Sequence, residues 1–394
     1  MDILLPKAIN IVLQTLHETA YEAYLIGGCV RDYLLGKIPH DFDITTSAHP
    51  QEVKQLFAAY PVIETGMIHG TVTVVISDYQ IEVTTYRTDL AYEDHRRPVQ
   101  VAFGTSLLED VKRRDFTINA LAYHPQEGIV DLVDGLQDLN QKRLQCVGDP
   151  LVRFQEDALR ILRCLRFASV LSFVIEEKTH DALFQKQHLL SYISWERKWS
   201  ELEKLLAGDA VDEILRTYRE IVLQLLPEFK HAQLLPLASL PKHAVLRLGF
   251  LLAPLDVQTI KTIGLRLRLS NSQLKELKAY AKYRDHLADS EYEVKCLLRE
   301  LGKDQTKKLL EGQAALHGSS ESLQWMESIL TQGKVYQMQQ LAVNGHDLLK
   351  HHLGSGSELK QLLNDLLDQV MQEKLENKKH VLLEKASTWK KRDN

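Results

Sequence analysis

The stretch Leu25-Ile26-Gly27-Gly28-Cys29-Val30-Arg31-Asp32-Tyr33-Leu34-Leu35-Gly36, followed a few residues later by Asp41-Phe42-Asp43-Ile44, decides how the N-terminal third is read. An apolar run enters two glycines and leaves as a helix. Glycines at such a turn let the backbone approach a phosphate, and the helix start offers free N–H groups and a positive dipole end. Arg31 falls in the first turn of that helix, where a guanidinium can clamp a phosphate oxygen. Taken alone, a Gly-Gly pair is as well explained by a tight turn. The aspartates add weight, because alternate residues of a strand share a face, so Asp41 and Asp43 project side by side with Phe42 packed behind. Adjacent carboxylates repel unless a cation lies between them. Their hard oxygens suit Mg²⁺, which keeps waters and binds substrate phosphates.

Working outward, short β-rich runs at 24–26, 42–44, 71–76 and 80–86 alternate with turns and helical stretches, which predicts an α+β or α/β domain. Runs 71–76 and 80–86, joined through Ser77-Asp78-Tyr79, read as a hairpin. Glu82 on its second strand is a third acid, either brought beside the aspartates or simply exposed. The polar stretch 88–99, with His95-Arg96-Arg97-Pro98, reads as a loop. Beyond residue 150 the strand signal fades. Apolar Leu159, Ile161, Leu162, Leu165 and Phe167 predict one helix over 156–171. Further helices are expected over 201–206 and 211–226, a break at Pro227, Pro236 and Pro241, and closing helices over 365–374 and 379–386.

With 394 residues the chain exceeds one ordinary core, and two to four domains are expected. Its 44% hydrophobic and 26% charged residues are those of a folded protein, and 7% aromatics with abundant Leu favour helices. A net charge of −5 taken alone argues against a nucleic-acid partner. The four cysteines, Cys29, Cys146, Cys164 and Cys296, lack C-x-x-C spacing, so a reducing compartment and no structural zinc are expected. No apolar run approaches the ~20 residues of a membrane span, and residues 1–17 lack the basic start and apolar core of a signal peptide. A cytoplasmic protein with no membrane partner is the expectation.

Two further clusters carry chemistry. Lys112-Arg113-Arg114-Asp115-Phe116-Thr117-Ile118-Asn119 puts guanidinium groups and a carboxylate before an apolar segment: a helix cap with a basic collar, or a triphosphate clamp beside a ribose acceptor. Glu156-Asp157-Ala158-Leu159-Arg160-Ile161-Leu162-Arg163-Cys164-Leu165-Arg166 places Asp157 and Arg160 three apart, on one helix face. That is either an intrahelical ion pair or a base-reading pair. A carboxylate only accepts and a guanidinium only donates. Cytosine and adenine each present an amino donor beside a ring-nitrogen acceptor and match the pair. Guanine and uracil present a carbonyl beside an N–H and oppose it. Such a pair selects C and A together.

These motifs, with Asp134-Gly135, stand in the order and at the distances found in the bacterial CCA-adding enzymes, the class II tRNA nucleotidyltransferases of the polymerase-β superfamily, and the whole chain resembles them. Trp195-Glu196-Arg197 and Val343-Asn344-Gly345-His346-Asp347-Leu348 resemble the family's later neck and tail segments. The resemblance implies an α+β protein: a nucleotidyltransferase head with a mixed sheet over 1–150, then an all-helical neck over 151–210, body over 211–330 and tRNA-binding tail over 331–394. It implies addition of C, C and A to the 3′ end of tRNA from CTP and ATP, without a nucleic-acid template, by two Mg²⁺ ions with release of pyrophosphate. Carried over residue by residue, Asp41 and Asp43 hold the metals and are catalytic. Gly28 and Arg31 contact the triphosphate, Arg114 reaches the nucleotide, and Asp115 lies near the ribose. Glu156, Asp157 and Arg160 belong to the base-reading motif, and Arg163 and Arg166 line the same pocket. The partners implied are tRNA, CTP and ATP; homodimer formation stays open.

Sibling activities are CC addition alone and poly(A) synthesis. CC-only relatives lack an intact loop between the aspartates and the Arg-Arg-Asp cluster, whereas Tyr92-Glu93-Asp94-His95-Arg96-Arg97-Pro98 looks complete here. A phosphohydrolase built on His40-Asp41, His180-Asp181 and His346-Asp347 would need these pairs to converge. A non-catalytic RNA-binding module would leave the acids without a task. Basic stretches for RNA contact are 261–285, with Lys261, Arg266, Arg268, Lys275, Lys278, Lys282 and Arg284, and 372–392, with Lys374, Lys378, Lys379, Lys385, Lys390, Lys391 and Arg392.

Overall fold

The structure, a computed structural model, describes residues 3, 5–39, 41–93, 97–103, 106–233, 235–353 and 355–390. They form two compact units, 1–230 and 231–394.

The first unit opens with α1 (Lys7–Glu18), β1 (Ala23–Ile26), α2 (Gly28–Leu34), β2 (Phe42–Thr46), α3 (Pro50–Leu56) and β3 (Val62–Ile63). It continues through β4 (Thr71–Ile76), β5 (Tyr79–Thr85), β6 (Arg87–Glu93), β7 (Arg97–Phe103), α4 (Leu107–Lys112), β8 (Ala122–His124), β9 (Gly128–Val130) and α5 (Gly135–Asn140). A seven-stranded sheet has the order β3-β4-β5-β2-β1-β8-β9. Its pairings are antiparallel except β2 with β5, which run parallel with Asp43 opposite Glu82. The period-two pattern explains its faces. Phe42, Ile44, Ile81, Val83, Val72 and Val74 are each at most 3% exposed on one side. On the other side the register aligns Asp43, Glu82 and Thr73 across three strands. The hairpin between β4 and β5 pairs Ile76 with Tyr79, so its turn is Ser77-Asp78, with Ser77 at φ 54°.

A short parallel pair, β10 (Arg143–Leu144) with β11 (Val174–Ile175), brackets α6 (Pro150–Glu156) and α7 (Leu159–Leu171). Then come α8 (Glu177–Lys186), α9 (Trp195–Leu206), α10 (Val211–Thr217) and α11 (Arg219–Leu225). In the second unit every regular element among the described residues is helical, from Ala244–Leu252 to Lys379–Lys390. Part of its core gathers Leu341, Val343, Leu348, Leu362, Leu366 and Leu367. The chain is thus α+β, with the sheet confined to the N-terminal part.

Three expectations are corrected. Within the stretch 88–99, residues 88–93 and 97–99 are not loop but belong to the antiparallel strands β6 and β7; Asp94, His95 and Arg96 lie outside the described residues. The helix expected over 156–171 is two: α6 stops at Glu156, and Asp157 at φ −134° and ψ 104° is extended. The carboxylate of Asp157 accepts the Leu159 N–H at 3.0 Å, capping the next helix in place of continuing the first. The Arg-Arg-Asp cluster does not start a helix. Arg113 caps the C-terminus of α4, and a single 3₁₀ turn, Thr117–Asn119, follows.

Candidate active site

Strand β1 delivers the chain to Gly27, whose φ of 85° and ψ of −134° are open to glycine and strained for other residues. A Cβ there would lie 3.9 Å from Asp43 Oδ2 and 3.6 Å from Arg114 Nη1, so the turn, the strand aspartate and the Arg-Arg-Asp cluster converge. They line a cleft of about 450 Å³ that also takes in Gly28, Arg31, Asp41, Asp115, Arg163 and Arg166. A neighbouring cavity of about 260 Å³ holds Asp157 and Arg160. Arg114, Asp115 and Arg163 line both, so they form a shared wall.

Arg31 is buried on α2 and donates to Asp32 at 2.9 Å and to Asn119 Oδ1 at 2.5 Å. Asn119 Nδ2 in turn donates to Asp115 Oδ1 at 3.3 Å, coupling Arg31 to Asp115. Arg163 donates to Asp115 Oδ2 at 2.8 Å, and the Phe116 N–H to Oδ1 at 2.8 Å. Burial pushes the Asp115 carboxyl up, but Arg163, Arg160 and that N–H outweigh it and hold it at about 2. It is an anion that only accepts. The ring of Phe167 organises the cations, with Arg166, Arg31 and Arg163 at 3.8, 5.2 and 5.4 Å from its centroid.

Asp43 is the opposite case. Burial, then the charges of Glu82 and Asp41, push its carboxyl up to about 6, and Arg114 only partly offsets them. The place is short of positive charge. Among the described residues no group of three or more His, Cys, Asp or Glu side chains forms a metal cage. A pair of carboxylates with an electrostatic deficit suits a hard divalent cation that takes its remaining ligands from water and phosphate.

Arg114 is set from below. Asp110 on α4 is fully buried, accepts from Arg114 Nη2 at 2.9 Å, and pairs with Arg113. Thr45 Oγ1 adds a 3.3 Å bond. Burial raises the Asp110 carboxyl, but Arg114 and Arg113 outweigh it and leave it below the usual carboxylate range. Asp110→Asn is expected to destabilise the first unit by about 3–5 kcal/mol, because two partly buried guanidinium groups lose their counter-charge. The stabilisation from the depressed carboxyl is full above its unfolded value near 3.8 and is lost as pH falls through the native value. The melting-temperature gap between wild type and Asp110→Asn should therefore be wide at pH 7 and narrow below about pH 4.

Asp157 and Arg160 come together, though not on one helix. Asp157 Oδ2 is held by Arg197 of α9 at 3.2 Å. Arg160 donates to Glu156 at 2.7 Å, to the Arg153 carbonyl at 3.1 Å and to the Arg113 carbonyl at 2.8 Å, which fixes the guanidinium plane. Glu156 lines neither cavity; its carboxylate bridges Arg160 and Arg153, so it positions Arg160. Arg166 lines the cleft with Asp43 and not the Asp157 cavity. It pairs with Glu201 at 2.6 Å, and burial, despite Glu201, lowers its guanidinium to about 10.

Sequence reasoning assigned no role to Asn119, Phe167, Arg197 or Asp110. Asn119 lies four residues after Asp115 and was within reach of a motif argument. Arg197 stands in the quoted segment Trp195-Glu196-Arg197, but nothing local tied it to Asp157, 40 residues away. In the second unit Arg284 is corrected as an RNA candidate: it is 7% exposed and donates to the Phe250 carbonyl and to Asp285. Lys378 and Lys379 pair with Glu376 and Asp347, and Lys391 and Arg392 lie outside the described residues. Of the His-Asp pairs, His40 is not described, His180 bonds Tyr218 Oη at 3.0 Å, and Asp347 sits on a helix of the other unit, so no dyad site forms among the described residues.

Residues 23–145 match the family model of the poly A polymerase head domain, 172–233 that of the RNA and SrmB-binding site of polymerase A, and 250–386 that of tRNA nucleotidyltransferase domain 2. With the Gly-Gly turn and paired aspartates on a mixed sheet, the first unit carries a nucleotidyltransferase head. The CCA-adding enzyme of Levilactobacillus brevis is 38% identical over 388 residues, 94% of this chain and 95% of that one. The one from Enterococcus faecalis is 37% identical over 382 residues, 94% and 93% of the two chains. The crystal structure of the Bacillus stearothermophilus CCA-adding enzyme with CTP matches with a TM-score of 0.83 at 30% identity, covering 98% of this chain and all of that one. The chain belongs to the CCA-adding enzymes, a family of tRNA nucleotidyltransferases. No helix among the described residues is long and apolar enough to cross a membrane.

Proposed function

We propose that the protein adds C, C and A in turn to the 3′ end of tRNA from CTP and ATP, without a nucleic-acid template and in the cytoplasm. The carrying observation is the shared wall. A cleft with a phosphate-binding turn and paired carboxylates abuts a cavity with an acceptor–donor pair, across Arg114, Asp115 and Arg163. One nucleoside triphosphate can span both. The Gly28 turn, Arg31 and Arg114 take the triphosphate, and Asp115 accepts from the ribose. Asp157 and Arg160 present an acceptor beside a donor, which C and A satisfy and G and U oppose. Asp41 and Asp43 would hold two Mg²⁺ ions, which when bound acidify the attacking 3′-hydroxyl and neutralise the leaving pyrophosphate. On this reading 1–150 is the head, 151–210 the neck, 211–330 the body and 331–394 the tRNA-binding tail.

The test uses tRNA transcripts ending before CCA or after CC, with CTP and ATP supplied singly and together. The expected products are two C residues with CTP alone, one A on the CC-ended transcript with ATP alone, and CCA with both. CC as the final product with both nucleotides would make this a CC-adding enzyme, and an A tract would make it a poly(A) polymerase.

A further inference from the structure

The end of β8 and the end of α1 bring two histidines together at a place that shares no residue with the cleft. Asn10, Gln14 and His17 fall at i, i+4 and i+7 on α1, an exposed strip beside its buried face. His124 closes β8, and Pro125-Gln126 turns the chain toward β9. Asn10, Gln14, His17, His124 and Gln126 are in the lining of a cavity of about 220 Å³. That is room for an ion with its waters, and less than the ~300 Å³ at which small-molecule pockets begin.

We propose that His17 and His124 bind a Zn²⁺ ion between them. Zinc lies about 2.0–2.1 Å from an imidazole nitrogen, and so about 3.2 Å from the ring centre. Two imidazoles at a tetrahedral angle on one ion then have centres about 5.2 Å apart. Those of His17 and His124 are 5.4 Å apart, with the rings inclined at 52°. Imidazoles at a right angle would have centres about 4.5 Å apart, and opposed ones about 6.4 Å, so the spacing suits a tetrahedral ion and not a square-planar one.

The surroundings supply what a ligating imidazole needs. His124 Nδ1 accepts the Gln126 N–H at 3.3 Å and lies 3.8 Å from Glu127 Oε1. Its Nε2, like both ring nitrogens of His17, has no hydrogen-bond partner among the described residues. With an ion on Nε2 the ring proton sits on Nδ1, and the long Gln126 bond gives way to one from Nδ1 to Glu127. Glu127 is held for that part by Tyr24, whose Oη lies 3.1 and 3.2 Å from its two oxygens. A carboxylate behind a ligating imidazole fixes the ring and raises its basicity. Two protein ligands leave the other positions to water, so the ion exchanges, unlike one in a closed four-ligand site. It pins the last turn of α1 to β8, whose partner β1 leads into Gly27.

His17→Ala tests this in the full-length protein, since His17 is exposed and its loss leaves the core intact. Millimolar Mg²⁺ is kept present to occupy the paired aspartates. In equilibrium dialysis wild type should then bind one Zn²⁺ more than His17→Ala. Free Zn²⁺ at about ten times its dissociation constant should raise the wild-type melting temperature by about 3–5 °C, reversibly with a chelator, and leave His17→Ala within about 1 °C. Without zinc the two should melt alike. Glu127→Gln should keep the site but weaken it about tenfold, which a merely structural carboxylate would not do. Equal zinc uptake by wild type and His17→Ala, or no zinc-dependent rise in the wild type, overturns the proposal.

Discussion

Asp43→Asn should lower nucleotide incorporation by about 10³-fold or more and yet melt at a higher temperature than wild type at neutral pH. The two halves have one cause. The Asp43 carboxyl is buried beside Glu82 and Asp41, and its value of about 6 in the folded protein lies above the 3.8 of an exposed aspartate. A group with a raised native value favours folding when protonated. That contribution is full below about pH 4 and is lost as pH rises through about 6. At pH 7.5 the ionised carboxylate therefore costs the fold about 2–3 kcal/mol. Asparagine keeps the shape and removes the charge, so a rise of several degrees is expected. The difference should grow between pH 4 and 6 and level off above. Mg²⁺ should raise the melting temperature of wild type and leave Asp43→Asn unmoved. The reverse thermal result, a variant less stable at pH 7.5 and indifferent to pH, would show that no cation-deficient site exists. Near-normal incorporation would remove Asp43 from the chemistry.

The strands around this site were legible because their period-two pattern is strict. Val72, Val74 and Ile76 alternate with Thr71, Thr73 and Val75 over the stretch 71–76, and the strand spans those residues. Strand geometry put Asp41 beside Asp43; Asp41 in fact stands one residue ahead of β2, and both line the cleft. That Glu82 joins them needed the parallel pairing of β2 with β5, a long-range choice that no local pattern reveals. The ribbon of β6 and β7 was hidden by its composition, since Thr88, Asp89, Glu93, Arg97 and Gln100 resemble loop residues. The break at Asp157 was hidden by apolar periodicity, which runs through 159–167 and says nothing about where a carboxylate will cap. Arg284 read as surface charge, because a guanidinium satisfied by a carbonyl and one carboxylate can be buried. The net charge of −5 misled as an average. Arg31, Arg114, Arg163 and Arg166 all line one cleft.

Asp157→Ala should keep the enzyme able to transfer but weaken its choice of base. A bidentate base contact supplies about 1–3 kcal/mol of discrimination. The ratio of kcat/KM for CTP over UTP, and for ATP over GTP, should thus fall by about 5–150-fold. Arg160→Ala should cost more in other ways, because its guanidinium also ties the Glu156 carboxylate and the Arg113 and Arg153 carbonyls together. Arg160→Lys separates the effects. It keeps the charge and part of the packing but loses the planar fork, so selectivity should fall while stability is largely retained. Glu156→Gln should act in the same direction and more weakly, since it loosens Arg160 without removing it. The outcome that overturns the base-reading assignment is a uniform loss on all four nucleotides in Asp157→Ala and Arg160→Lys. Asp43→Asn supplies the control. Its residual activity should retain the wild-type preference for C and A, because Asp43 lines the cleft of Gly28 and Arg31 and not the cavity of Asp157 and Arg160. A preference that collapses at Asp157 and survives at Asp43 would place chemistry and base choice on opposite sides of the Arg114–Asp115–Arg163 wall.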